Sequence, residues 1–290
     1  MILTGSFFIQ PSPHQTTSSQ VASTLQLHIA RETMPRATNA PLRPTGTMMP
    51  LVVLCILFFS QYGAVPIIVP YETQSTDNAT NRQIIVDVHN RWRGNVTPTA
   101  MNMLKMEWND EAAKKAEIWA RTCNQFHNPA SQRNITNFSC GQNLFMASYS
   151  TTWEAAVTAW FDEIKDFDFG KGPKTFGALI GHYTQGAWYN SRMVGCYEFE
   201  CPNAEYRYYY VCHYCPAGNI EGKQFTPYKI GPTCGDCPKS CENGVCTNYC
   251  PHPINYDNCQ ELTTKYSCSK YPELQDDCPA HCRCTNNEII

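Results

Sequence analysis

Cysteine placement constrains this chain more than any other feature. Of its seventeen cysteines, sixteen fall between Cys123 and Cys284, and the remaining one, Cys55, sits inside an apolar run. Ten of the sixteen crowd into residues 234–290, a stretch too short and too poor in aliphatic side chains to fold by burial alone. Such a segment needs covalent staples, and an even number of cysteines is what a closed disulfide framework requires. The other six (Cys123, Cys140, Cys196, Cys201, Cys212 and Cys215) are spread over a region long enough to have its own core. Cys212-x2-Cys215 and Cys234-x2-Cys237 have the spacing of zinc knuckles, because thiolates two residues apart suit a tetrahedral ion. In an oxidising compartment disulfides win that competition, and neither pair sits in the strand–helix–strand setting of a thioredoxin-like redox site.

The odd cysteine points to the compartment. Leu51–Phe59 is apolar and uncharged, the length of a signal-peptide core and too short to span a bilayer alone. Removing it leaves the even set. With Gly63 and Ala64 offering a cleavage site, 48–64 reads as the signal peptide and 65–80 as a linker. Residues 1–47, rich in Ser, Thr, Pro and Gln without periodicity, read as a disordered or gene-model extension ahead of a start at Met48 or Met49. Met48–Tyr71 carries no charge, so an uncleaved signal anchor is the alternative, and Pro50, Pro66 and Pro70 count against it. The expected product is secreted and extracellular, with no stable membrane span after signal removal.

Four sequons, at Asn78, Asn95, Asn134 and Asn137, mark exposed loops for glycosylation, with Asn95 the poorest because Thr97-Pro98 follows it. A net charge of −3 without a long basic run excludes nucleic-acid binding by phosphate neutralisation. At 290 residues the chain is long enough for about two domains. The proline- and glycine-rich stretch 216–233 reads as the linker or hinge between them. Beyond it the tail is acidic, with eight acidic against four basic residues.

Hydrophobic period then separates helices from strands. Arg82–Trp92 is helix-like with Ile84, Ile85 and Val88 on one face. Asn109 is a plausible N-cap for a helix running to about Cys123, with Ala112, Ala116, Trp119 and Cys123 in one stripe. Thr151 with Glu154 forms a capping box for a third helix striped by Val157, Trp160, Phe161 and Ile164. Ala187–Phe199 and Tyr206–His213 are aromatic and β-branched and read as paired strands. Helices first and strands after argues an α+β fold. No Gly-x-Ser-x-Gly and no His-Glu-x-x-His is present, so no hydrolase follows from motifs. His127, His182 and Glu163 have spacings that reveal no site without a fold to bring them together.

Two stretches resemble family signatures. Gly181-His182-Tyr183-Thr184-Gln185-Gly186-Ala187-Trp188 is similar to the first signature of the CAP superfamily, and Tyr209 to Ile220 resembles the second throughout. Asn102 to Trp108, the ten-cysteine tail, Cys246-Thr247-Asn248 and the closing Cys282-x-Cys284 narrow the resemblance to the cysteine-rich secretory proteins of vertebrates, over roughly Asn81 to Ile290. The resemblance implies an α-β-α sandwich over 81–215, a disulfide hinge over 234–249, and over 250–284 a helical module similar to sea-anemone potassium-channel toxins. It implies the bridges Cys123–Cys201, Cys140–Cys215 and Cys196–Cys212, then Cys234–Cys241, Cys237–Cys246, Cys250–Cys284, Cys259–Cys278 and Cys268–Cys282.

The family's cleft carries two His and two Glu, which map to His127, Gln142, Glu163 and His182. Gln142 departs from the pattern, where Cys-Gly-Glu-Asn is expected and Cys140-Gly141-Gln142-Asn143 stands. No cofactor is required, yet neutral imidazoles at His127 and His182 can hold a divalent ion such as zinc, more weakly for the lost carboxylate. An acid–base mechanism needing both carboxylates loses one of them. Gly186 is a second departure, standing where the signature expects a bulky aliphatic. The resemblance implies a role in sperm maturation or sperm–egg interaction, with sperm or egg surface proteins and ion channels as partners and sterol as a ligand, and the Gln142 departure favours a non-enzymatic binding protein. The alternative is a metal-dependent extracellular hydrolase using the cleft. For channel contact the resemblance points to Lys270 and Tyr271, in the inter-cysteine loop that carries the toxins' Lys-Tyr pair, and Lys265-Tyr266 is a second such dipeptide.

Overall fold

The computed structural model describes residues 67–256 and 258–290. The expected extension 1–47, the expected signal peptide 48–64 and Cys55 lie outside the described residues. Helix α1 (Ala79–Arg93) begins three residues earlier than its apolar period suggests, because the Asn78 side chain accepts a hydrogen bond from the Thr80 amide and caps it. Its buried face is Ile85, Val88, His89 and Arg93, while Ile84 turns out to be 38 % exposed. Strand β1 (Glu107–Trp108) leads into α2 (Asp110–Ala120), capped as expected by Asn109 through the Ala112 amide at 2.8 Å. This helix stops at Ala120, short of Cys123, which takes a positive φ of 54° and turns the chain away.

The third helix, α3 (Trp153–Phe161), is capped by Thr152 rather than Thr151: the Thr152 hydroxyl accepts from the Ala155 amide at 3.1 Å. Thr151 instead donates its hydroxyl to the Ile67 carbonyl, and its amide donates to the Tyr210 hydroxyl. Ile164 falls in the 3₁₀ turn Asp162–Asp166 that follows the helix. After the short strands β3 (Phe167–Asp168) and β4 (Gly172–Pro173), helix α4 (Gly181–Gly186) carries His182. The first of the two expected strands therefore starts later, as β5 (Met193–Glu200), and pairs antiparallel with β6 (Tyr208–Cys215). An edge strand that the sequence reading left out, β2 (Gly141–Ala147), pairs with β6 and completes a sheet of order β1-β5-β6-β2.

Alternation along β6 builds two cores. Tyr210, Cys212 and Tyr214 join Val194 and Cys196 under α1, α3 and α4, against Ile85, Val157, Trp160 and Phe161. Tyr209 and Val211 face the other way, with Leu144, against Ala116 and Ala120 of α2. Each fully buried side chain of this kind contributes about 1.5–3 kcal/mol. The alanine face of α2 lets its backbone rest on Gly195 of β5, where a Cβ would come within 2.1 Å of the Ala113 nitrogen. Helices thus cover both faces of the sheet, an α-β-α sandwich.

The stretch 216–233 connects the sandwich to the tail, but it lies hydrogen-bonded against the first domain. Met101 donates to the Lys229 carbonyl at 2.9 Å and Gly231 to the Thr99 carbonyl at 3.1 Å. The tail opens with a hairpin, β7 (Cys241–Glu242) and β8 (Val245–Cys246), turning through Asn243-Gly244 with both φ positive. Cys246 exchanges backbone hydrogen bonds with Met103 and Lys105, and Leu104 is buried among Cys234, Cys237, Cys246 and Ile289. Three short helices, α5 (Cys259–Lys265), α6 (Leu274–Asp277) and α7 (Pro279–Arg283), close the tail around Leu274, Cys259 and Cys278. No described helix is long and apolar enough to cross a membrane.

Candidate functional site

The edge strand β2 organises a cleft, because its successive side chains point to opposite faces of the sheet. Gln142 lies on the α2 side. Its Oε1 accepts a hydrogen bond from His127 Nδ1 at 2.7 Å, and its amide nitrogen donates to His213 Nε2 at 3.1 Å. Asn143 points to the opposite side, where its amide donates to the His182 carbonyl at 3.0 Å and to the Tyr214 hydroxyl at 3.3 Å. His127 arrives on the loop after α2, and His182 on α4 from the other layer. Residues from both faces therefore meet around one edge.

Glu163 anchors the second imidazole. One carboxylate oxygen accepts from His182 Nδ1 at 2.6 Å, and the other takes the backbone amides of His182 and Tyr183 at 2.9 and 3.0 Å. Trp160 stacks on the His182 ring at 6.4 Å. A carboxylate oxygen and an amide oxygen can only accept, so both His127 and His182 carry their proton on Nδ1 when neutral. Each imidazole thereby keeps a free Nε2 lone pair, the arrangement in which a histidine serves a metal while its other nitrogen is held. Burial lowers the pKa of His127, the hydrogen bond it donates to Gln142 opposes this, and Arg133 and His182 add to the lowering. His213, fully buried, is pushed down to about 3, so it stays neutral and can accept from the Gln142 amide.

Both departures from the family pattern have visible surroundings. Gln142 is 6 % exposed and spans two imidazoles, a post where an amide can donate and accept at once. Gly186 lies against Phe161, whose ring would be 2.9 Å from an added Cβ, so this ring occupies the room that a bulky aliphatic would need. The loop beyond Gly186 is held by Arg93, fully buried, whose guanidinium donates to the carbonyls of Leu104, Gly186, Trp188 and Tyr189. Burial without an acid partner lowers its pKa to about 9.

His213, Asn143 and Arg93 were not singled out from the sequence. His213 alternates with Tyr209 and Val211 on β6, a period-two signal that places it on the Gln142 side once the strand pairing is known. The cysteine cluster Cys234, Cys237 and Cys246 has its sulfurs close together, yet all three are consumed in bridges and offer no thiolate. The structure pairs Cys123–Cys201, Cys140–Cys215, Cys196–Cys212, Cys234–Cys241, Cys237–Cys246, Cys250–Cys284, Cys259–Cys278 and Cys268–Cys282.

Asn78, Asn95, Asn134 and Asn137 are all exposed. In the tail the two Lys-Tyr dipeptides come together. Tyr266 and Tyr271 meet edge to face at 5.3 Å, Lys265 lies 5.3 Å over Tyr266, and Lys270 lies 5.8 Å over Tyr271. Both lysines are exposed, and both tyrosines pack on the core of the module.

Comparison with known proteins covers both parts of the chain. The model of the cysteine-rich secretory protein family, CAP, matches residues 86–214, and the Crisp model matches residues 234–289. Human cysteine-rich secretory protein 3 is 47 % identical over 214 residues, which is 73 % of this chain and 86 % of that protein. Among solved structures, the crystal structure of NaASP2 with Zn2+ superposes with a TM-score of 0.51 at 30 % identity, covering 59 % of this chain and 96 % of that one. The crystal structure of Na-ASP-1 gives 0.50 at 25 % identity over 64 % of this chain and 51 % of that one. With the sandwich, the cleft and the stapled tail matched in order, this chain belongs to the cysteine-rich secretory protein family.

Proposed function

We infer that the chain acts as a secreted, non-enzymatic binding protein of the male reproductive tract, in sperm maturation or sperm–egg interaction, whose cysteine-rich tail regulates ion channels. Eight disulfides support the extracellular setting, since such a framework forms and persists under oxidising conditions. The observation that carries the non-enzymatic reading is Gln142. A hydrolase working through this cleft needs a second carboxylate to take or give a proton, and an amide does neither at any physiological pH. The two free Nε2 atoms and their held Nδ1 protons fit zinc, as NaASP2 was crystallised with it. Zinc bound there would be held by His127 and His182 and would supply a Lewis acid. Gln142 and Glu163 fix the two rings, but only Glu163 contributes charge.

For the tail, the supporting feature is the paired Lys-Tyr patch, two exposed ammonium groups braced on tyrosine rings. Incubating the mature protein with a peptide library, with and without zinc, is expected to give no cleavage. Zinc-dependent cleavage abolished by His182→Ala overturns the non-enzymatic reading. Ion-current recordings from sperm are expected to change on adding the whole protein and to change less with Lys265→Ala/Lys270→Ala. No effect on any current removes the channel role and leaves surface adhesion.

A further inference from the structure

Where the tail meets the sandwich, the surface holds an open cavity of about 250 Å³ that the cleft does not touch. Phe138, Ile220, Ile254 and Ile289 line it with apolar surface, from the sandwich, the connecting stretch and the tail alike. One charged side chain from the sandwich enters this lining, Arg192. Its guanidinium carbon lies 4.0 Å from the centre of the Tyr249 ring and 5.4 Å from that of Phe138, a cation–π position between the tail and the sandwich. Among the described residues it forms neither an ion pair nor a hydrogen bond. Burial lowers its pKa, and Tyr249 and Glu107 oppose this through space; a guanidinium stays charged in proteins. Arg82, Arg91, Arg121 and Arg207 are each paired with a carboxylate. Arg93 is saturated by carbonyls. Arg192 is a half-buried cation with its donors unspent, at the wall of an apolar hole.

The complement of such a site is a molecule with one carboxylate to engage the planar fork and an apolar body to fill the rest. We propose that the junction between sandwich and tail binds a small apolar monocarboxylate, with its carboxylate on Arg192 and its body against Phe138, Ile220, Ile254 and Ile289. The volume matches about a dozen non-hydrogen atoms and excludes a folded partner. Ile220 and Ile254 are 42 % and 45 % exposed, so the mouth is open and apolar without the ligand and is covered with it. The site is independent of the channel and cleft readings above.

The test uses the whole secreted protein and calorimetric titration with 4-phenylbutyrate and decanoate, each beside its alcohol, 4-phenylbutanol and decanol. At least one carboxylate is expected to bind about tenfold or more tightly than its alcohol, because a charge-assisted hydrogen bond separates them. Arg192→Met keeps the stem on Tyr249 and is expected to erase that difference, whereas Arg192→Lys keeps part of it. Ile254→Asp, a rim change on an exposed position, is expected to weaken acid and alcohol together. A variant that fails to fold leaves the wild-type readout, in which the bound acid shifts the methyl signals of Ile220, Ile254 and Ile289. The proposal is overturned by equal affinity for acid and alcohol. It also fails if neither acid binds at about millimolar concentration, or if the responding methyls lie elsewhere.

Discussion

Gln142 shows how one amide changes what its neighbours can be. Its nitrogen donates to His213 and so requires that ring to present a bare Nε2. A carboxylate in the same place would instead need a proton on His213 Nε2 and would raise its pKa from about 3. Gln142→Glu is therefore expected to strengthen zinc binding about tenfold or more, read by competition with a chelating dye, with the gain shrinking as the pH falls. Gly186→Val is expected to cost about 1–3 kcal/mol in thermal or urea unfolding, because Phe161 must move to admit it.

Glu198 carries a pH effect. It is 4 % exposed, one oxygen takes the Ser150 hydroxyl at 3.3 Å, the other has no partner, and burial raises its pKa to about 8. The folded protein thus holds this proton over a range where the unfolded chain, with its carboxyl near 4.5, has released it. Stability on this account is highest below pH 4.5 and falls as the pH rises to about 8, by an amount on the order of 4 kcal/mol. Urea midpoints measured from pH 5 to 9 are expected to show the fall, and Glu198→Gln is expected to flatten it.

Helices announced themselves through period and caps, and the errors at their ends have local causes. Asn109 and the α2 stripe read correctly because the alanine face and the cap are both local. Thr152 displaced Thr151 as the α3 cap because a tertiary contact, Thr151 to Tyr210, claimed the other residue. Strand β2 went unread because Gly-Gln-Asn-Leu-Phe-Met-Ala shows no clean alternation: it is covered on both faces, so Gln142, Asn143 and Leu144 are all buried although they point to opposite sides. The cleft depends on that strand. Its four residues come from four separate segments, and only a resemblance to relatives, not spacing, could put them together.

The tail elements differ in a further way, since staples replace a core. Leu274 is the principal aliphatic side chain buried among their cysteines, whereas Cys196, Cys212 and Cys215 lie at 0 % exposure inside the sandwich. Graded reduction with alkylation and peptide mapping is expected to label Cys241, Cys268, Cys282 and Cys284 first, and Cys196, Cys212, Cys140 and Cys215 last. The reverse order would mean that burial does not protect the sandwich bridges.

Taken together, sandwich and tail share a seam. Residues 99–105 are bonded on one side to the connecting stretch and on the other to the hairpin, and Lys105 pairs with Glu242 at 2.6 Å. Composition suggested a free hinge at 216–233, because proline and glycine mark irregular backbone whether or not that backbone is mobile. Limited proteolysis of the native protein is expected to spare 227–231, which is bonded to the sandwich, and to leave the tail attached even where the exposed 219–223 is nicked, and a clean release of the tail would refute the seam. Asn78 carries a last constraint, on any carbohydrate attached there. Its oxygen holds the first turn of α1, while the nitrogen that would carry a sugar is a different atom of the same amide. A glycan and the helix start could therefore coexist, but Asn78→Gln would abolish any sugar and the cap together. Thr80→Ala removes the acceptor signal alone, so any secretion defect unique to Asn78→Gln belongs to the helix and not to the glycan.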